Sequence, residues 1–292
     1  MKSAFFQTLR SPFPLLILSI ALIISTIEWI KPDGPQQLDP NFHPANELFD
    51  HQLYSIKSID AGVKYCDSVY GKNQISKSDT TEYVDQMARF IKNRFFHGYS
   101  HFSFGHNTIG WMLAPILHKN LTATVIPEDI IQFPNAACSQ QTIVFFELLK
   151  RKGFLTRKVG LFDSTPGAGH FASEVFWNGS WHFYDVNKEP DASILESLGR
   201  PSLEEILKRP GLIDSVYSAR NDINIASLFS NPTYGKPNKS EAPNATIYQW
   251  TTKLISLTLP VWVLLAIACW TFIFGHKKTA EAGIKVERVE AV

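Results

Sequence analysis

Two long apolar stretches lie near opposite ends of the sequence, and they limit what the rest of the chain can form. Residues 13–30 contain 13 apolar residues in 18, and residues 254–274 contain 17 in 21. A helix needs about 20 apolar residues to cross the hydrocarbon core of a bilayer. We therefore predict two transmembrane helices at these positions. Glu28 is the only charge in either stretch, and we expect its carboxylate to reach the membrane interface.

The basic residues outside the two stretches predict the orientation of the chain. Lys2 and Arg10 precede the first stretch, and four basic residues follow the second: Lys277, Lys278, Lys285 and Arg288. By the positive-inside rule, the tails at residues 1–12 and 275–292 are cytoplasmic. Residues 31–253 are then expected to form one extracytoplasmic domain of a membrane protein with two spans. A cleavable signal peptide is the alternative for the first stretch, but the sequence that follows lacks a convincing small-x-small cleavage site.

The overall composition agrees with a folded domain between two spans. The chain of 292 residues is 45% apolar and 13% aromatic, which is enough material for a packed core. Its 28 basic and 27 acidic residues give a net charge of +1, and this balance argues against nucleic acid as a partner. We expect no cofactor and no metal.

The hydrophobic pattern of this domain changes from helical to strand-like along the chain. Asp79 and Glu82 form a plausible helix cap before five apolar residues that recur on one face: Tyr83, Met87, Phe90, Ile91 and Phe95. Residues 138–152 predict another helix, and residues 154–162 predict a strand. The runs 171–177 and 181–186 flank Asn178 and Gly179 and predict a β-hairpin with a two-residue turn. The fold class is therefore α+β.

The predicted hairpin brings a histidine and a carboxylate to one face. With a two-residue turn, Ala172 lies opposite Asp185, and His170 becomes the diagonal neighbour of Asp185. Such an aspartate orients the imidazole, so that the second ring nitrogen can take a proton from a nucleophile. Cys138 is the candidate nucleophile, because a thiol at a helix start is favoured as thiolate by the helix dipole. The pattern predicts a catalytic Cys138–His170–Asp185 triad.

Four segments resemble the transglutaminase-like superfamily of papain-like cysteine enzymes: 137–141 (ACSQQ), 152–159 (KGFLTRKV), 169–170 (GH) and 181–185 (WHFYD). The resemblance covers residues 127–187. It implies a helical N-terminal part and a catalytic helix packed on a small antiparallel sheet. It also implies Cys138 as nucleophile, His170 as general base and acid, and Asp185 as the orienting residue. Relatives include crosslinking enzymes, peptidases, amide hydrolases and inactive members, so family resemblance alone does not define the reaction.

The oxyanion-binding or cleft residues are less well defined by the sequence. We name Gln141, Asn107 and Trp111 as candidates. A disulfide between Cys66 and Cys138 is an alternative that would remove the nucleophile. A second group, His97, His101 and His106, is better explained by aromatic packing than by a metal site.

Two functions are compatible with these residues. The first is a cysteine-dependent amide hydrolase or acyltransferase that forms a thioester on Cys138. Its substrate is expected to be a protein, a peptide or an envelope glycan-associated molecule. The second is a catalytically inactive scaffold that binds an envelope or polysaccharide-assembly partner in the same cleft.

Overall fold

The computed structural model describes residues 12–31, 47–71, 80–162, 169–189, 192–217, 225–239 and 242–290. The chain divides into two compact units. The membrane-helix unit comprises Met1–Gly34, Phe102–Thr122 and Ile247–Val292, and the sheet unit comprises Pro35–His101 and Ala123–Thr246. Residues 102–122 group with the two long apolar helices, and the expectation that residues 31–253 form a single domain stays a prediction.

Both helices and strands are present, as predicted. The helices, in chain order, are α1 (Pro12–Ile30), α2 (Ile59–Tyr70), α3 (Thr80–Arg94), α4 (Thr108–Leu117), α5 (Pro127–Ile130), α6 (Cys138–Arg151), α7 (Ser193–Ser197), α8 (Leu203–Leu207), α9 (Leu212–Tyr217), α10 (Ile225–Leu228) and α11 (Pro243–Glu290). The strands are β1 (Phe96–His97), β2 (Asn135–Ala136), β3 (Leu155–Phe162), β4 (Gly169–Trp177), β5 (Ser180–Tyr184) and β6 (Thr233–Tyr234). The α+β class is therefore confirmed.

In the described part of the chain, two helices are long and apolar enough to cross a membrane, at Phe13–Ile30 and Pro243–Trp270. The first has the predicted bounds. The second stretch, predicted at residues 254–274, lies inside the much longer α11. Pro260 does not end this helix, since a proline is tolerated where neighbouring groups compensate for the lost backbone bond.

A four-stranded antiparallel sheet with the order β5-β4-β3-β6 forms the centre of the sheet unit. Trp177 pairs with Ser180 and Val175 pairs with His182, which is the register predicted for the hairpin. Both turn residues, Asn178 and Gly179, have positive φ angles of 48° and 82°. This conformation matches the strand twist, and an Asn-Gly pair adopts it at low cost.

The two faces of this sheet contact different helices. On one face, Val175, Trp177 and Tyr184 join a core with α2, α3 and α6. That core includes the five apolar residues predicted to share one helix face, four of them in α3 and Phe95 directly after it, and all five are buried. On the other face, Ala172 and Phe183 pack with residues of α7 to α10. The sheet thus lies between a layer of longer helices and a layer of short ones.

Candidate active site

Cys138 is the first residue of α6, and a buried glutamine fixes the start of this helix. Ala137 is the N-cap residue and carries no side-chain acceptor. The Oε1 atom of Gln140 instead accepts the N–H groups of Ala137 and Ser100, at 3.1 Å and 2.9 Å. The Nε2 atom of Gln140 donates to the carbonyls of Ser100 and Thr124. These four bonds connect the helix start to two neighbouring segments and hold Cys138 in position.

His170 and Asp185 come together as the hairpin register predicts. His170 is the second residue of β4, and Asp185 directly follows β5. The Nε2 atom of His170 lies 2.8 Å from Oδ2 of Asp185, and both side chains are buried. Since Nε2 faces the aspartate, Nδ1 is the ring nitrogen left for another partner.

That partner is the thiol of Cys138. The charge of His170 favours the thiolate of Cys138, and Cys138 in turn raises the pKa of His170. Cys138 is only 9% exposed. The three residues predicted as a triad therefore interact in the order Cys138, His170, Asp185, the last two through a hydrogen bond.

The charges of the triad depend on one another. Burial raises the pKa of Cys138, but the influence of His170 outweighs it and lowers the pKa below its ordinary value. Burial lowers the pKa of His170, but Asp185 and Cys138 raise it to about 9. For Asp185, burial is outweighed by His170 and by hydrogen bonds, which lower its pKa to about 2. The arrangement favours a thiolate beside an imidazolium, which is the reactive form of a cysteine nucleophile.

Asp185 has three further hydrogen bonds, one of which comes from a residue that the sequence did not indicate. The Tyr217 hydroxyl, at the end of α9, donates to Oδ2 at 2.8 Å. The backbone N–H groups of Asn187 and Lys188 donate to Oδ1 at 3.1 Å and 2.9 Å. Four donors around one buried carboxylate keep it ionised and fix its orientation.

A buried arginine holds the loop that follows Asp185. The Arg200 guanidinium donates to both carboxylate oxygens of Glu189, at 2.8 Å and 2.9 Å, and to Asp85 at 3.0 Å. Burial raises the pKa of Glu189 to about 7, although Arg200 opposes this shift. A cavity of about 250 Å³ lies here and is lined by Asp185, Glu189, Arg200 and Lys92 among other residues.

The three candidate oxyanion or cleft residues have different surroundings. Gln141 is buried in α6, and its Nε2 donates to the carbonyl of Ala136 at 3.0 Å. Asn107 is buried in the membrane-helix unit, where its Oδ1 accepts the N–H of Gly110 at the start of α4. Trp111 is exposed in the same helix and contacts Phe104 edge to face. Their role at the oxyanion remains a prediction.

The alternative disulfide does not form in this structure, because Cys66 and Cys138 are both free thiols. Cys66 is fully buried in α2, and burial raises its pKa to about 12. It is therefore an inert core residue. Within the described residues, no three His, Cys, Asp or Glu side chains form a group that could hold a metal ion.

No protein-family model, curated protein or solved structure matches the chain. What the site can do therefore follows from its own geometry and charges.

Proposed function

We propose that this chain is a membrane-anchored, transglutaminase-like thiol enzyme that attacks an amide or another acyl group and forms a thioester on Cys138. The interaction of Cys138 with His170 and the hydrogen bond between His170 and Asp185 carry this proposal. Each residue singly has an ordinary structural explanation. Together they supply a nucleophile, a proton carrier and an orienting acid, which is the arrangement that nucleophilic catalysis needs.

In the first half-reaction, the Cys138 thiolate bonds to the acyl carbon of the substrate. The carbonyl oxygen becomes an oxyanion, and the N–H groups in the first turn of α6 are its nearest candidate donors, since they have no acceptor within the helix. The His170 imidazolium then gives its Nδ1 proton to the leaving amine. The carbon–nitrogen bond breaks, and the thioester and a neutral His170 remain.

In the second half-reaction, neutral His170 accepts a proton from water or from an acceptor amine as that group attacks the thioester. The carbon–sulfur bond breaks and restores the thiolate beside the imidazolium. Water gives hydrolysis, and an amine gives acyl transfer. Asp185 remains ionised throughout, because its pKa of about 2 is far below neutral pH, and it stabilises the imidazolium of the resting state.

The membrane location is the second part of the proposal. It is supported by the two helices that are long and apolar enough to cross a bilayer and by the basic residues before the first apolar stretch and after the second. In this orientation the sheet unit faces away from the cytoplasm. Its substrate is then a protein, a peptide or an envelope glycan-associated molecule at the membrane surface.

An activated acyl ester tests the chemistry without knowledge of the natural substrate. Full-length protein in detergent is mixed with p-nitrophenyl acetate, and acid-quenched samples are searched by mass spectrometry for an acetylated Cys138 peptide. We expect a burst of p-nitrophenolate and the acetylated peptide in the wild type, and neither in Cys138→Ala. His170→Ala should abolish the burst, whereas His182→Ala should retain it, because His182 stacks on Trp177 and lies on the opposite face of the hairpin from His170.

The contrary result is equally clear. If wild type, Cys138→Ala and His170→Ala release p-nitrophenolate at the same rate and no adduct forms on Cys138, the enzyme proposal is wrong. The inactive scaffold would then be the better explanation of the same residues.

A further inference from the structure

The helix α4 has its small and polar residues buried and its large apolar residues exposed, which is the reverse of a helix on a soluble domain. Gly110 and Ala114 are buried on one side. Trp111, Met112, Leu113, Ile116 and Leu117 are exposed, with Ile116 at 79% and Leu117 at 60%. Contiguous apolar surface of this kind marks a binding surface.

Hydrogen bonds hold the first turn of α4 against the other two helices of its unit. The Glu28 carboxylate accepts the N–H of Thr108 at 3.3 Å. Ser256 Oγ accepts the N–H of Ile109 at 3.2 Å. We expected the Glu28 carboxylate to reach the membrane interface, and in the structure Glu28 is only 6% exposed. The N-terminus of α4 covers this carboxylate, and its N–H group compensates for the lost hydration.

Two more contacts on α11 complete this attachment. The Tyr248 hydroxyl donates to the carbonyl of Gly110 at 2.6 Å. Asn107 Nδ2 donates to Thr252 Oγ1 at 2.9 Å. Every partner lies near the C-terminal end of α1 or between residues 248 and 256 of α11, around the point where the second apolar stretch begins. The α4 helix is therefore attached at the level of one boundary of the apolar zone.

Exposed tryptophans mark the same boundary. Trp29 lies next to the end of α1, Trp250 lies just before the second apolar stretch, and Trp111 lies in α4; all three are exposed. Tryptophan is enriched where a membrane protein crosses the boundary between hydrocarbon and water. The sequence of α4 contains no charged residue, so nothing in this helix opposes contact with acyl chains.

We propose that α4 is a third membrane element, which lies in the interfacial layer of the outer leaflet with its exposed apolar side chains among the lipid acyl chains. This inference rests on the membrane placement in the proposed function and adds lipid as the partner of this surface. A helix of 10 residues is about 15 Å long, which is too short to span a bilayer. The α1 and α11 helices of the same unit also expose large apolar side chains, which favours lipid over a separate protein partner.

Spin labels on the full-length chain test this proposal. The three native cysteines are replaced by alanine, and one cysteine is introduced and labelled with a nitroxide. Ile116→Cys reports on α4, Leu265→Cys on the apolar part of α11, and Leu207→Cys on the exposed surface of the sheet unit. The protein is reconstituted into phosphatidylcholine and phosphatidylglycerol vesicles. Collision rates with oxygen, which concentrates in lipid, and with a water-soluble nickel chelate are then measured.

We expect the label at residue 116 to collide with the chelate several-fold less often than the label at residue 207, and more often than the label at residue 265. Oxygen collisions should remain high at residue 116. Met112→Cys provides a second position on the same face if the first variant does not fold.

Three results would overturn the proposal. Chelate collisions at residue 116 equal to those at residue 207, with residue 265 protected, place α4 in water and leave the two spans intact. Low collision rates with both reagents at residue 116 indicate that protein covers this face. Free chelate access at residue 265 removes the membrane anchoring itself, while the acyl-adduct experiment on Cys138 continues to test the enzyme chemistry separately.

Discussion

Replacing Asp185 by asparagine removes one negative charge from the site and nearly preserves its shape. The amide oxygen can still accept the N–H groups of Asn187 and Lys188, which now bond to the carboxylate. What is lost is the charge that faces His170. Burial alone lowers the pKa of His170, and Asp185 is the largest influence that raises it to about 9. In Asp185→Asn we therefore expect a His170 pKa below its ordinary value of 6.5.

The size of this effect follows from the two histidine values. A fall from about 9 to below 6.5 corresponds to at least about 3 kcal/mol of lost preference for the imidazolium. At pH 7 the histidine becomes neutral, and Cys138 loses the cation that lowers its pKa. Burial then raises the thiol pKa above its ordinary range. An ordinary thiol with a pKa near 8.5 is about 3% ionised at pH 7, and each further unit lowers that fraction tenfold.

The rate of iodoacetamide alkylation at Cys138 between pH 5 and pH 10, read from the peptide mass, measures the thiolate directly. In the wild type we expect the rate to rise at a pH below that of an ordinary thiol. In Asp185→Asn the rise should move to a pH above it, and the rate at pH 7 should fall by about tenfold or more. Asp60→Asn is the matched control, because Asp60 is an exposed residue paired with Arg151. An Asp185→Asn profile that coincides with the wild type would refute the claim that Asp185, through His170, favours the Cys138 thiolate.

Two further substitutions test the support around the site. Tyr217→Phe removes one hydrogen bond to the buried Asp185 carboxylate and should lower the free energy of unfolding by about 1.5–3 kcal/mol, measured by denaturant titration of the full chain. The alkylation profile should move much less than in Asp185→Asn, and an equal shift would contradict a purely positioning role. Arg200→Met leaves two buried carboxylates without their cation and should cost about 3–5 kcal/mol. Arg89→Met removes an exposed pair and should cost less than about 1 kcal/mol; equal losses would contradict this difference.

The geometry of His170 and Asp185 was predictable because a local signal determines the strand register. The Asn178–Gly179 turn has the two positive φ angles that a two-residue hairpin turn requires. Once this turn is known, side-chain alternation places both residues on the same side of the hairpin. The α6 helix was also predictable from local sequence. The run that begins at Cys138 contains no glycine or proline, and it ends in basic residues before Gly153.

The residues that support the triad could not be predicted in the same way. Tyr217 reaches Asp185 from 32 residues further along the chain, and no spacing rule connects a short helix to a particular carboxylate. Gln140 resembled an ordinary polar residue of a helix, although its side chain joins three segments of the backbone. Asn107 precedes the triad in sequence and was therefore considered for the cleft. Its hydrogen bond to Thr252 depends on tertiary packing that local patterns do not report.

The loop that follows Asp185 is one of the supports of its carboxylate. Asp185 accepts two N–H groups from the residues that follow it, and Glu189, at the end of the same segment, is fixed by both oxygens to Arg200. A displacement of this loop would therefore move the carboxylate that raises the pKa of His170, whereas the start of the helix that carries Cys138 is held by Gln140. The pKa of His170 and the position of Cys138 thus depend on different hydrogen bonds of the sheet unit. Substitutions at Arg200 should consequently change the pH dependence of Cys138 reactivity more than they change the solvent exposure of Cys138.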